Sequence, residues 1–331
     1  QPRRAAYDIL WDIEQGAYAN LRLKEGLRQV PPENRPFVSA LVYTVLDHQI
    51  YLDHIIDRFA RGKVKPRVRL VLRMGICQML YMDVPDSAAC DESVKLVKSV
   101  GKLALSGYVN GVLRAVAREK GTLHPPEGRD ASSLSIRYSW PQWLVKRYLK
   151  RYGPEGTESL LSYVGEKSIT VRNNPFKVGM DELKKALFEQ GIPYRAGNLV
   201  EDALVLEGAG DVAKNPLFLQ GAMTVQSQSS MLVCRVANPR RGMRVLDACA
   251  APGGKSLYMA ALMGEGEILS WDVHPHRVRL IDKNCERLGV DFVRTQVQDA
   301  TQDRKPLWGG FDLVLVDAPC SGLGVAGGKP D

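Results

Sequence analysis

The feature that most constrains the fold is an alternation of short apolar strands and helices between residues 242 and 317. Val245-Leu246 forms a first strand that ends at Asp247, and a glycine-rich loop and a helix from about Ser256 follow it. Strands that alternate with helices predict a doubly wound α/β fold with a parallel sheet. We predict three further strands, and the last of them is apolar enough to be central in the sheet. A second helix is predicted between the second and third strands of the sheet. These three strands are expected over 268–272, 292–297 and 311–317, with the helix over 275–288.

The remaining residues are predicted to form two more domains, as a length of 331 residues allows. Apolar residues recur at helical spacing through the first 120 residues, which predicts an all-α domain over 1–125. The breaker cluster from His124 to Gly128 is itself the predicted linker after this domain. Two strand-like segments around a helical one indicate a small α+β domain over 126–220, which leaves 221–331 for the α/β domain.

Charge and cysteine usage narrow the class of protein. The net charge of +8 favours a polyanionic partner such as nucleic acid, although a merely basic enzyme has the same balance. The six cysteines form no Cys-x-x-Cys pair and no zinc-finger spacing, so we expect no metal and a reducing cytoplasmic compartment. No apolar run predicts a membrane span, and no signal peptide is recognisable. Nothing in the sequence suggests an obligate dimer, so we expect a monomer.

Two cation-rich segments are candidates for RNA contact. The first includes Pro66, which predicts a helix start there, and it is either a solvated face or a phosphate-contacting surface. The second interleaves aromatic residues with cations over residues 135–152 and suits either base stacking or docking on a neighbouring domain. The cations of the first segment are Arg58, Arg61, Lys63, Lys65, Arg67, Arg69 and Arg73.

The loop Asp-Ala-Cys-Ala-Ala-Pro-Gly-Gly-Lys-Ser over 247–256 predicts a nucleoside site at the strand ends. It is not a phosphate-binding P-loop, because Cys249 stands where that motif requires glycine. Asp272, at the end of the second strand, can accept hydrogen bonds from ribose hydroxyls, and Asp299, after the third, can meet an adenine edge. Acids at successive strand ends also suit a sulfonium, so S-adenosylmethionine is the expected cofactor. The alternative is that Asp272 or Asp299 only caps a turn.

The segment Asp317-Ala-Pro-Cys320 lies at the end of the fourth predicted strand, where a methyl group would be transferred. Cytosine C5 is a poor nucleophile until a thiolate adds at C6 and turns the ring into an enamine. Methylation of an amino group needs no cysteine. Cys320 therefore favours carbon methylation of a pyrimidine, with Asp317 placed to bond to the base edge.

Together these motifs resemble the RNA 5-methylcytosine methyltransferases, and Arg4-Ala-Ala-Tyr-Asp-Ile-Leu10 resembles the NusB-like RNA-binding domain. Ser139-Trp-Pro-Gln-Trp-Leu144 and Val225-Gln-Ser-Gln-Ser-Ser230 are similar to further family segments. The resemblance implies a Rossmann-like methyltransferase domain that modifies C5 of a cytosine in 16S (small-subunit) ribosomal RNA, with Asp317 and Cys320 as catalytic residues. It implies cofactor binding by Cys249, Ala250, Ala251, Pro252, Gly253, Gly254, Lys255, Asp272, Arg277, Asp299 and Asp317.

In the resembled family the cysteine of the Asp-Ala-Pro-Cys segment assists product release, and the nucleophile lies in a later Thr-Cys-Ser segment. The 331 residues contain no Thr-Cys-Ser, and four strands are fewer than the usual seven. We therefore expect the methyltransferase domain to be truncated here and the protein to continue beyond Asp331. Gly327-Gly328 stand where the family often has basic residues before Lys-Pro-Asp, which puts one RNA contact in doubt.

Two other functions compete with RNA cytosine methylation. One is a catalytically incomplete protein that binds RNA and cofactor, or that assists assembly. The other is a DNA cytosine methyltransferase, in which a Pro-Cys segment carries the nucleophile; the NusB-like domain and the Ala-Pro-Gly-Gly-Lys loop argue against it.

Overall fold

The computed structural model describes residues 1–163, 168–320 and 322. The described residues fall into two compact units, one up to residue 163 together with residue 322, and one over 168–320. Among the helices in these ranges, none is both long and apolar enough to cross a membrane.

The first unit is helical, and its central helix is α5. Eleven residues of α5 are buried, because it packs against α1, α3, α4, α6 and α7 and so has neighbours on most sides. It begins at Pro66, as predicted. The helices are α1 (Pro2–Glu14), α2 (Ala19–Gly26), α3 (Arg35–Asp47), α4 (Gln49–Phe59), α5 (Pro66–Tyr81), α6 (Asp86–Ser99), α7 (Ser106–Glu119), α8 (Ala131–Tyr138) and α9 (Gln142–Leu161).

The first cation-rich segment does not form one continuous surface. Arg73 is buried and pairs with Glu14 and Asp53, so neither the solvated-face nor the phosphate-contact prediction holds for it. A buried guanidinium needs carboxylate partners, and α1 and α4 supply them. Lys63 and Lys65 precede α5 and are exposed.

The aromatic segment mainly packs inside its own unit. Trp140 and Tyr148 lie against the buried Val145, and the Tyr51 backbone N–H of α4 donates to Ser139 Oγ at 3.2 Å. The contact between Ser139 and α4 agrees with docking on the helical domain, whereas Trp140 and Tyr148 pack among residues of α8 and α9. Base stacking stays a prediction for the exposed aromatics, which are Trp143 and Tyr152.

The second unit begins with an antiparallel sheet of order β2-β3-β1-β4. Val171 of β1 is opposite Leu204 of β3 and Val225 of β4, and the helix α10 contributes the buried Leu183 and Leu187. This arrangement confirms the predicted α+β domain. Its elements are β1 (Ile169–Asn173), α10 (Met180–Glu189), β2 (Tyr194–Ala196), β3 (Ala203–Leu206), α11 (Pro216–Leu219) and β4 (Met223–Val225).

The second sheet of this unit is parallel, with order β7-β6-β5-β8. The fourth strand was expected to be central and to span seven residues. It has three residues and pairs only with β5 among the described residues, so Val314 and Val316 are 53% and 64% exposed. The elements are α12 (Gln228–Ala237), β5 (Arg244–Asp247), α13 (Gly254–Met263), β6 (Glu267–Asp272), α14 (Pro275–Leu288), β7 (Val293–Val297) and β8 (Leu313–Leu315).

Within this unit, buried polar contacts join the domain of the antiparallel sheet to the domain of the parallel sheet. Asn174 Nδ2 donates to the carbonyl oxygens of Gly221 and Leu288, both at 2.8 Å. Gly221 has φ +78°, and a Cβ there would lie 2.0 Å from the Arg287 carbonyl oxygen. Only glycine fits this close approach, so the chain after α11 is held directly against the end of α14.

Candidate active site

The carboxyl ends of the four parallel strands form one edge of the sheet, and the acids predicted for the site lie there. Asp272 is the last residue of β6, while Asp299 and Asp317 follow β7 and β8 by two residues each. A cleft of about 650 Å³ opens at this edge. It brings together seven of the predicted site residues, which are Cys249, Ala251, Asp272, Arg277, Asp299, Asp317 and Cys320.

The other predicted loop residues lie away from this cleft. Ala250, Pro252, Gly254 and Lys255 line a second pocket of about 240 Å³, which shares Cys249, Ala251 and Asp317 with the cleft. Gly253 lines neither the cleft nor this pocket. Its φ of +98° and its position against Ile281 give it a role in the turn into α13.

The loop is fixed to the sheet by its backbone and by one buried acid. The Ala250 N–H donates to the Trp271 carbonyl oxygen at 2.7 Å. Asp247 Oδ2 accepts from Ser256 Oγ at 2.6 Å, and Ser256 Oγ in turn lies 2.8 Å from Ser270 Oγ. Burial raises the pKa of the Asp247 carboxyl. This chain of three side chains sets where α13 begins relative to β5 and β6.

Asp272 and Asp299 both stabilise turns and line the cleft. Asp272 Oδ1 accepts from the His274 N–H at 3.0 Å, and Arg277 Nη1 lies 3.5 Å from Oδ2. Asp299 Oδ1 accepts from the hydroxyl and the N–H of Thr301, and these bonds lower the pKa of Asp299. The turn role and the ligand role are therefore compatible in this geometry.

Lys255 connects the loop to the Asp-Ala-Pro-Cys segment. Its Nζ donates to Asp317 Oδ2 at 2.5 Å and lies 3.5 Å from Ser230 Oγ. Lys255 is largely buried whereas Asp317 is about half exposed. The ammonium group therefore holds the Asp317 carboxylate at the boundary between the cleft and the pocket.

The two cysteines of the cleft differ in their surroundings. Cys320 is exposed, next to Pro319 in the cleft wall. Cys249 is partly buried, and burial raises the pKa of its thiol. Gly327-Gly328 and the Lys329-Pro330-Asp331 triplet lie outside the described residues. Among the described residues, no cluster of His, Cys, Asp and Glu side chains has the arrangement of a metal site.

Sequence reasoning missed two residues beside the loop. Gln226 lines the second pocket, and Arg172 of β1 donates from Nε to Gln226 Oε1 at 2.7 Å. The signal for Gln226 was its place in the Val225–Ser230 family segment. Arg172 carried no signal, because it stands 54 residues earlier in a strand.

Profiles of known families match most of the chain. The NusB family matches residues 1–118, a ferredoxin-like domain of RsmF/B-like methyltransferases matches 140–213, and 16S rRNA methyltransferase RsmB/F matches 234–331. The protein named probable ribosomal RNA small subunit methyltransferase B of Bacillus subtilis is 38% identical over an alignment of 339 residues. The alignment covers 99% of this chain and 75% of that protein. The chain belongs to the ribosomal RNA small subunit methyltransferase B family.

Solved structures agree with the family's three-part fold. The crystal structure of PH0851 has a TM-score of 0.76 at 24% identity and covers all of this chain and 77% of that one. A methyltransferase homolog from Pyrococcus horikoshii has a TM-score of 0.52 at 28% identity over 60% of this chain and 64% of that one. The predicted family, the all-α NusB-like domain, the small α+β domain and the Rossmann-like methyltransferase domain are thus confirmed.

Proposed function

We propose that this member of the methyltransferase B family transfers a methyl group from S-adenosylmethionine to C5 of a cytosine in 16S ribosomal RNA. The observation that carries the proposal is the cleft at the strand ends. Asp272 and Asp299 line it together with Asp317 and Cys320, which are far apart in the sequence.

The cleft fits S-adenosylmethionine in size and in polar groups. Its volume lies within the roughly 300–1000 Å³ of small-molecule sites. Asp272 offers a carboxylate at the position where nucleoside sites of this fold bind ribose, and Asp299 lies on the next strand end for the adenine edge. Arg277 and the small residues of the loop complete the proposed site. The cofactor supplies a methyl group on a sulfonium centre, and the three acids around the cleft favour that positive charge.

Asp317 and Cys320 are proposed to act on the base. Asp317, held by Lys255, lies at the base edge and acts as the acid that protonates N3 when a thiolate adds at C6. Cys320 assists product release, in which the C5 proton leaves and the bond between C6 and the nucleophilic cysteine breaks. In the resembled family that nucleophile belongs to a Thr-Cys-Ser segment.

The domains are proposed to divide this work. Residues 1–125 would bind RNA as the NusB-like domain, 126–220 would connect and add RNA contacts, and 221–331 would hold the cofactor. The NusB match over 1–118 and the net charge of +8 support the first assignment. A cytoplasmic monomer stays the prediction for the working state.

The test is methyl transfer to small-subunit RNA by the full-length protein, with nucleoside analysis of the product. We expect 5-methylcytidine from the wild type and a covalent protein–RNA adduct that accumulates in Cys320→Ala. Cys90→Ala is the matched control, since Cys90 is buried in the helical unit. N-methylated cytidine, or loss of any adduct in Cys320→Ala, would contradict the proposal. RNA binding without methyl transfer would favour the assembly function instead.

A further inference from the structure

The helix α14 contacts both the loop over 247–256 and the domain of the antiparallel sheet. We propose that Asn284 of α14 is a positioning residue, which holds this loop in the shape that binds S-adenosylmethionine. Arg287, one turn further along α14, orients Asn284 from the domain of the antiparallel sheet. The inference rests on the proposed function, since it takes the cleft to be the cofactor site. It adds a residue that lines neither the cleft nor the second pocket.

Two neighbouring residues on the surface of α14 contact the loop. Ile281 packs against Gly253, where a Cβ would lie 3.1 Å from Ile281 Cγ2. Asn284 Nδ2 donates to the Pro252 carbonyl oxygen at 3.0 Å. Residues three positions apart lie next to each other on a helix, and here they contact two consecutive residues of the loop. The side chains of α14 therefore set the position of the turn that leads into α13.

The Asn284 amide has partners on both of its polar atoms. Its Oδ1 accepts from Arg287 Nη2 at 3.2 Å, while its Nδ2 donates to Pro252. A guanidinium has only donors and a carbonyl oxygen only accepts, so both partners assign the amide in the same orientation. Neither hydrogen bond would form if the amide were turned over. Asn284 therefore connects Arg287 to the loop through a single side chain.

Arg287 is anchored in the domain of the antiparallel sheet. Its Nη1 donates to the carbonyl oxygens of Phe218 and Met223 at 2.8 and 3.2 Å, and its Nη2 donates to Thr224 Oγ1 at 3.1 Å. The guanidinium also lies 4.1 Å from the centre of the Phe218 ring, within the range of a cation–π contact. Since a guanidinium presents its donors in a rigid plane, these partners leave it one orientation.

The end of α14 is attached to the same domain at a second place. Asn174 Nδ2 donates to the Leu288 carbonyl oxygen at 2.8 Å, and Gly221 lies against the Arg287 carbonyl oxygen. These contacts do not involve the Arg287 side chain. Loss of the guanidinium should therefore release the Asn284 amide while the helix stays attached.

The alternative is that Asn284 only stabilises the end of α14, and Asn284→Asp separates the two roles. A carboxylate still accepts from Arg287 and gains the attraction of opposite charges. It cannot donate to the Pro252 carbonyl oxygen. A stabilising role alone predicts a loop like that of the wild type, whereas a positioning role predicts a displaced loop in a protein of undiminished stability.

The first measurement follows the loop in the full-length protein without cofactor. Cys249 is a partly buried residue of the loop, so displacement of the loop exposes its thiol. We expect mild alkylation to modify Cys249 about 3- to 10-fold faster in Asn284→Asp than in the wild type, as the loss of one hydrogen bond allows. Peptide mass spectrometry measures the rate. An unchanged rate would overturn the inference.

The second measurement is the affinity for S-adenosylmethionine by calorimetry. We expect Kd to rise about 3- to 10-fold in Asn284→Asp and in Arg287→Met, although neither residue lines the cleft. The KM for the cofactor should rise by the same factor, with kcat at saturating cofactor unchanged. In an Asn284→Ala background, Arg287→Met should add little, because both changes act through the same hydrogen bond. Additive losses, or an unchanged Kd in Asn284→Asp, would overturn the inference.

Asp282→Ala is the matched control on the same helix. Asp282 Oδ1 accepts from Thr295 Oγ1 of β7 at 2.6 Å, and Asp282 lines neither the cleft nor the second pocket. This variant removes a hydrogen bond of α14 without a change at the loop. Cys249 alkylation and cofactor affinity should therefore stay at the wild-type values. Changes as large as those of Asn284→Asp would show a general loosening of α14 and would contradict a specific role of Asn284.

The two measurements also separate this inference from the proposed function. A wild type that binds no S-adenosylmethionine would refute the proposed function, and the alkylation rate of Cys249 would then decide whether Asn284 holds the loop. Formation of 5-methylcytidine by an Asn284→Asp protein with a wild-type KM for the cofactor would refute the role of Asn284 alone.

Discussion

Among single residues, Asp247 is a buried acid in the lining of the second pocket of the candidate site. Asp247 is 1% exposed, and its carboxylate accepts a hydrogen bond from Ser256 at the first turn of α13. Burial raises the pKa of Asp247, and the Ser256 hydroxyl only partly offsets this. An acid whose pKa is higher in the folded state than in the unfolded chain makes folding less favourable as the pH rises.

The Asp247→Asn variant should remove this pH dependence. The contribution of Asp247 is fully present below its unfolded pKa and is lost as the pH rises through the raised folded value. We therefore expect Asp247→Asn to gain stability relative to the wild type from pH 4 to pH 7, on the order of 1 kcal/mol. Denaturant unfolding at several pH values measures this gain. Parallel curves for the two proteins would mean that Asp247 titrates alike in both states.

At the scale of elements, the cations of α5 and of the residues before it differ in burial and in their partners. Arg73, inside the helix, is 7% exposed and bonds to Asp53 with both Nε and Nη2, while Glu14 pairs with its Nη1. Lys63 and Lys65, before the helix start at Pro66, are exposed. The buried arginine joins α1, α4 and α5, whereas the two lysines are exposed to solvent.

Substitutions in this element should therefore have opposite consequences. Arg73→Ala leaves Asp53 and Glu14 without their buried partner and should lower the free energy of unfolding by about 3–5 kcal/mol.

The double variant Lys63→Ala/Lys65→Ala should fold normally but bind small-subunit RNA more weakly, with a salt dependence of affinity reduced by roughly one to two counterions. Calorimetry and filter binding over a salt series measure the two effects. Unchanged RNA affinity in the double variant would leave these lysines as a solvated face.

Across the whole molecule, the six cysteines differ in their exposure to solvent. Cys320 alone among them is exposed, and Cys249 is partly buried. Burial raises the pKa of Cys77 and Cys234 to about 12 and that of Cys285 to about 11. Thiol reagents act on the thiolate, so these three should remain unmodified at neutral pH.

Mild alkylation of the folded protein should label Cys320 first and Cys249 more slowly. S-adenosylhomocysteine should protect both, since both line the cleft proposed to bind the cofactor. Peptide mass spectrometry with and without the ligand measures this, and the labelling of a denatured sample is the control. Failure of the ligand to protect Cys249 would argue against the cleft as the cofactor site.

The sequence alone determined the types and order of most elements, and the strand ends at which the acids lie. Residues 275–288 were predicted as a helix and form α14 over the same span. Asp272 and Asp317 were placed at strand ends because strand positions follow from local apolar patterns. In parallel sheets the carboxyl ends of strands share one edge, so gathering the acids there required no tertiary information.

Only the tertiary structure decided which side chains meet across long sequence separations. Arg172 and Gln226 stand 54 residues apart, and Arg73 lies 59 residues from Glu14. The position of β8 at the end of the described sheet likewise depends on which strand pairs with β5. Local patterns contain periodicity and propensity but no information about distant partners. For this reason the sequence predicted the cofactor edge of the site, while the pocket beside it became visible only when the two sheets were brought together.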